Sequence, residues 1–270
     1  MSNIKHLADL MKVCSILPVF AVMPAMATDE AKLGSDSYST FVEALANAQD
    51  GNAQTVSLMR DVTDGKGSIV ASGSDVTIDF GGHKYTAVED PVGSKGTETL
   101  MFQLLKDSDI TMKNGTISAI SNSDTGDEFK MMIQNYSNLT LDNMIVDGTG
   151  NPDLVQYVVS NNNGTTNIKN SKIIAGKGVA LDAYYWPSMG YGDVEVNVDN
   201  TEIIGAIEVT VDGKHAIADD TKHELKINGG VLASQTDGRN KIYNEGTLFV
   251  SNVDMNGNIG ADNGSAIYNT

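Results

Sequence analysis

The amino-acid sequence predicts an all-β chain: a single-stranded parallel β-helix, a solenoid, closed at its N-terminal end by one capping helix. Three observations predict it. An octet reading apolar, polar, apolar, small polar or charged, Asn, two variable places, apolar recurs as Val76–His83, Ile110–Ile117, Leu139–Val146, Thr166–Ile173, Val196–Ile203, Leu225–Leu232 and Leu248–Met255. Its fifth places lie 23 to 34 residues apart, a period that belongs to stacked arrays. The start of each octet alternates with period two, so one face of a short strand turns inward and the other outward.

Asn114, Asn143, Asn170, Asn200 and Asn252 fill the fifth place, and Phe80 and Gly229 are the exceptions. Asn enters the left-handed backbone region at lower cost than most residues, so these five are read as structural turn residues between two strands. Two strands, a tight bend and a looser return make one coil. Variation in repeat length then falls on the return, where insertions cost little. A leucine-rich repeat would need a tighter period and a helical return, and no 3.6-residue apolar pattern lies between the octets.

Taken in order, residues 1–27 read as a signal peptide. Lys5 and Lys12 precede an apolar run from Val13 to Val22, and Ala25-Met26-Ala27 supplies a small, any, small cleavage site. Cys14, the only cysteine, falls inside this segment. Cleavage would leave a chain with no disulfide and no thiol nucleophile, stabilised by repeat stacking alone. No later stretch reaches the roughly 18 apolar residues of a membrane span, so none is expected in the mature chain. With 35 acidic against 18 basic residues and a net charge of −17, nucleic acid and anionic membrane are disfavoured as partners.

Residues 28–72 form the expected N-terminal cap. Within Ser39–Gly51 the spacing of Thr40 and Glu43 suits a capping box, Phe41, Ala44, Leu45 and Ala48 share one helical face, and Gly51 sits at a stop position. Such a helix would cover the apolar interior of the first coil. Thr55–Val62 reads as the first strand. Residues 73–270 are the repeats. A second signature precedes two octets by six residues, Ile133-Gln134-Asn135 and Ile242-Tyr243-Asn244, so the unit exceeds the octet. Asn residues at such places would stack and hydrogen-bond from coil to coil.

Asp79, Asp142 and Asp199 hold the fourth octet place, and the last two are expected to cap the turn that follows. Arginine occurs only at Arg60 and Arg239, outside any acidic cluster, so no catalytic residue is assigned. His83, His215 and His223 read as solvated loop residues rather than metal ligands, and no cofactor is expected. The segment Asp182–Asp193, DAYYWPSMGYGD, holds the only Trp and three of the nine tyrosines. Tyr184, Tyr185, Trp186 and Tyr191 are therefore the candidate ligand-binding residues, since flat rings stack on sugar faces. The other reading is that they fold back over the solenoid.

The signal segment, the FVEALANAQDG and SLMRDVT stretches of the cap, the octets, and above all Gly264-Ser265-Ala266-Ile267-Tyr268-Asn269 resemble bacterial autotransporter passengers with the pectin-lyase-like right-handed β-helix, including the GGAIYN-type repeats of polymorphic outer-membrane proteins. The resemblance covers most of residues 38–270. It implies export to the cell surface or beyond, with adhesion or self-association. A C-terminal membrane barrel of alternating strands is missing from the pattern.

The function expected is a secreted or surface-displayed, adhesin-like binding protein without catalysis, meeting a glycan or a host or bacterial surface. The alternative is a polysaccharide lyase or glycoside hydrolase, which would bring three carboxylates and a Lys or Arg together on one face. A structural spacer that binds nothing is a third. Ile267-Tyr268-Asn269 repeats the lead into an octet and the sequence stops there, so the repeats are expected to be incomplete at the C-terminus, with self-association through an open coil.

Overall fold

The computed structural model describes residues 29–121, 125–151, 153–186, 192–213, 220–233, 242–256 and 266–270. Residues 1–27, with the expected signal peptide, and Tyr191, His215 and Arg239 lie outside them. The described residues are all-β apart from one short α-helix and a single 3₁₀ turn. Strands of successive repeats pair in parallel, repeat upon repeat, in three ladders.

The first ladder is the octet ladder. Val76, Ile110, Leu139, Thr166, Val196, Leu225 and Leu248 pair in one unbroken row, each the first place of its octet. Period two sends the first and third places inward: Val76 and Ile78, Ile110 and Met112, Leu139 and Leu141 are all buried. The eighth places Ile117, Val146, Ile173, Ile203, Leu232 and Met255 make the corresponding row of the second ladder. Between the two, all five turn asparagines take positive φ, from 44° at Asn200 to 59° at Asn114, and Gly229 replaces Asn at φ 73°. Their side chains also bridge coils, as from Asn143 to Asn114 and from Asn200 to Asn170.

This backbone geometry sets an expected result. Asn170→Gly should change stability by only a few tenths of a kcal/mol, whereas Asn170→Val forces a branched residue to φ 51° and should cost about 1–2 kcal/mol. Denaturant melts of the two variants check it; equal losses would show that the amide ladder, not the backbone, holds the corner.

The first octet departs from the pattern. Its eighth-place row is held by Tyr85, not His83, because Tyr85 pairs with Ile117. Phe80 fills the fifth place with a ring that is fully buried, and the turn passes to Gly81 and Gly82, both at positive φ. Phe80 is seated over Gly115, where a Cβ would collide with it. His83 instead stands beside Asp61, with Nδ1 3.2 Å from its carboxylate.

The third ladder carries the Ile-any-Asn signature. Phe102, Ile133, Val159, Leu181, Ile207 and Ile242 form its buried inward row, and Ile267, which is exposed, pairs next in register. Two residues further along, Asn135 and Asn161 face the interior and bond to each other at 2.8 Å. Thr166 completes this buried polar knot by donating to Asn161 Oδ1 at 2.8 Å. That explains a Thr at an otherwise apolar place: the hydroxyl satisfies a buried amide that Val would leave short of a partner.

On the outer side of the first ladder, Asp79, Lys113, Asp142, Lys169 and Asp199 stand in register. Lys113 reaches Asp79 at 3.5 Å and Lys169 reaches Asp142 at 3.2 Å. Asp142 therefore bridges coils, and Asp199 accepts from Asn228. The acid that caps a turn is Asp79, which takes the Gly81 N–H at 3.0 Å.

The helix runs Phe41–Asn47, shorter than Ser39–Gly51 because Ala48 ends it. Thr40 is its N-cap, accepting from the Glu43 N–H, and Phe41, Ala44, Leu45 and Ala48 are buried. Phe41 inserts among Tyr85, Phe80 and Phe102, with ring centroids 4.7, 6.2 and 6.4 Å away. The strands Ala31–Leu33 and Asp36–Tyr38 form an antiparallel hairpin that also pairs with Gln54–Leu58, so the helix and hairpin together cover the first coil.

Candidate binding site

The aromatic segment begins on the third ladder, and period two divides its residues. Leu181, Ala183 and Tyr185 point inward; Tyr185 is 5% exposed and its ring lies 5.9 Å from that of His223. Tyr185 is therefore a core residue and does not belong to the candidate contact surface. Tyr184 belongs to the opposite face, Trp186 follows directly after the strand, and both are half-buried. The alternation Leu181-x-Ala183-x-Tyr185 carries this distinction in the sequence.

Tyr184 donates its hydroxyl to Asp212 Oδ1 at 3.3 Å. Burial, then the Asp212 charge, raises its pKa, so the ring is a neutral donor. Trp186 is fixed through its backbone: its N–H donates to Asn163 Oδ1 at 2.5 Å, while Asn163 Nδ2 donates to the Gly192 carbonyl at 2.9 Å. One amide thus holds both ends of the segment from Trp186 to Gly192. Asn163 sits at φ 53° and is 3% exposed, which suits a rigid clamp. Sequence reasoning misses it; the Asn-Gly dipeptide at 163–164 is the available signal.

Asn163 also lines an open groove of about 320 Å³ at the corner between the third and first ladders, with Lys106, Asp107, Tyr136, Asn138 and Asp193. These residues come from successive coils, so the groove follows the stacking direction. A second cleft of about 280 Å³, at the opposite end of the third-ladder strands, is lined by Asp153, Tyr157, Lys177 and Glu208. Lys177 is ion-paired with Asp153 there.

Between the two clefts lies Asp182, on the face opposite Leu181 and only 4% exposed. It accepts from Ser160 Oγ at 3.0 Å and from Thr210 Oγ1 at 3.2 Å. Burial pushes its carboxyl up to about 7, and the Glu208 charge on the next coil adds to the rise. His223 is likewise no loop residue. It is 3% exposed, with Nε2 2.9 Å from the Ala183 carbonyl, and Nδ1 meets no hydrogen-bond partner among the described residues. Burial lowers its pKa, so the ring is neutral with Nε2 carrying the proton.

Among the described residues no group of three or more His, Cys, Asp or Glu side chains is placed to hold a metal ion. No helix among them is long and apolar enough to cross a membrane. Comparison of the chain with protein-family models, with curated proteins and with solved structures gives no match.

Proposed function

We propose that the three ladders wind into a right-handed parallel β-helix and that the chain is an exported, surface-displayed binding protein, adhesin-like in the manner of an autotransporter passenger, that works by contact with a glycan rather than by catalysis. The right-handed sense is the one that parallel crossovers adopt almost without exception. The observation that carries the binding reading is that two half-buried rings, Tyr184 and Trp186, stand two residues apart at a strand end, with the Trp186 backbone bonded to Asn163 of an open polar groove. Aromatic faces next to amide and carboxylate groups suit a ligand with both apolar ring faces and hydroxyls.

One observation favours a second reading, a glycoside hydrolase: a carboxyl titrating near 7 beside a second carboxyl is how a general acid is made. Against it, both Asp182 oxygens are engaged by hydroxyls within the protein, and almost none of the side chain meets solvent. A substrate oxygen has no path to the proton.

The test uses the chain recovered from outside the cell, where removal of residues 1–27 would leave Thr28 at the N-terminus. Trp186→Ala should lower binding to a glycan array at least tenfold while leaving the melting temperature within about 2 °C. Release of new reducing or unsaturated ends from the same glycans would favour the hydrolase or lyase reading. Recovery only of chains still carrying residues 1–27 would refute export.

A further inference from the structure

Resting on the glycan-binding reading above, we infer that the corner groove takes an uncharged, linear, hydroxyl-rich oligosaccharide lying along the stack of coils, with Asn163 as the residue that positions the aromatic wall. The groove is crossed by four successive coils, represented by Asp107, Asn138, Asn163 and Asp193. At about 4.8 Å per coil it runs roughly 14 Å along the stack, a length that suits a short extended saccharide rather than a single sugar.

Its chemistry selects against charge. Asp107 and Asp193 lie on opposite ends of this run of coils, and the only cation among the described lining residues, Lys106, is 4.0 Å from Asp107. The second cleft adds Glu208 beside the Asp153–Lys177 ion pair, and the whole chain is at −17. A uronate or sialylated chain would enter a field of its own sign, where Lys106 stands beside Asp107 and is outnumbered by the two acids of the lining. Sugar hydroxyls suit the groove: carboxylates accept from them in charge-assisted bonds, and amides such as Asn138 offer both a donor and an acceptor. Tyr136 supplies an aromatic surface within the lining. Trp186 is tied to the groove through its backbone N–H, which donates to the lining residue Asn163.

Asn163 therefore acts through Trp186 and Gly192 rather than as an isolated contact. Replacing it with Gly keeps the positive φ and removes both clamp bonds. The experiment titrates the mature chain with neutral cello-, manno- and galacto-oligosaccharides and with oligogalacturonates and oligoalginates of matched length. At least one neutral series should bind ten times or more tighter than any uronate series. Asn163→Gly should weaken that binding at least tenfold, with the melting temperature within a few degrees. Tighter binding of a uronate would overturn the inference and leave the glycan reading standing. A neutral saccharide bound equally well by Asn163→Gly and by Tyr136→Ala would move the site away from the groove. If neither class binds, the glycan reading itself falls, and this inference with it.

Discussion

Asp182→Asn is expected to gain stability over the natural chain as the pH rises, by roughly 3 kcal/mol between pH 5 and pH 8.5. The folded-state pKa of Asp182 is raised from 3.8 to about 7, first by burial and then by the Glu208 charge. The folded chain thus keeps a proton that the unfolded chain has lost. Its contribution is fully present below 3.8 and drains away as pH rises through 7, after which it changes no further. Each tenfold in ionisation constant is about 1.4 kcal/mol, so about two such steps separate pH 5 from the plateau. Asn, which does not ionise, removes the dependence. Denaturant melts at several pH values read the result, and parallel curves for the two chains would show that Asp182 stays solvated. His223 has the opposite slope: with its pKa lowered by burial from 6.5, its contribution is present above 6.5 and is lost as pH falls.

Phe41→Ala is expected to cost about 3–5 kcal/mol. The ring is fully buried against Tyr85, Phe80 and Phe102, and its loss leaves a void where the helix seals the first coil. In a stacked array each coil rests on its neighbours, so the damage should be graded. Amide exchange should accelerate most in Gln54–Leu58 and Asp75–Asp79 and least in His223–Ala233. A loss below 1 kcal/mol, or one spread evenly over all coils, would mean that the helix is not the seal.

The register of the first ladder is legible in the amino-acid sequence, because seven apolar or β-branched first places fix which residues lie side by side. The five turn asparagines are legible for a backbone reason, since few other residues tolerate positive φ. What escapes is set by tertiary context. Phe80 leaves the turn pattern because Gly115 on the next coil makes room for its ring. His223 reads as solvated because polarity alone does not show that a strand such as His223–Ala233 begins inside the core. Asp182 looks like one scattered acid among many, and only pairing with Ser160 and Glu208 on neighbouring coils reveals its burial. At the candidate site the rings are legible, and so is the inward turn of Tyr185, through the alternation Leu181-x-Ala183-x-Tyr185. Asn163, from the preceding coil, cannot be joined to Trp186 without the fold.

The outer column Asp79, Lys113, Asp142, Lys169, Asp199 alternates in sign from coil to coil. Each pair is partly exposed, so its direct stabilisation is small. The alternation matters more as a parity rule. Slipping the stack by one coil sets acid against acid and lysine against lysine, whereas a slip of two restores every contact in the column. A chain that pairs with the wrong neighbour during folding is thus told apart from one that pairs correctly, even though all the octets present nearly the same apolar face. The same rule constrains how such a chain lengthens: coils added or removed within this column keep its charges matched only when they come and go in twos.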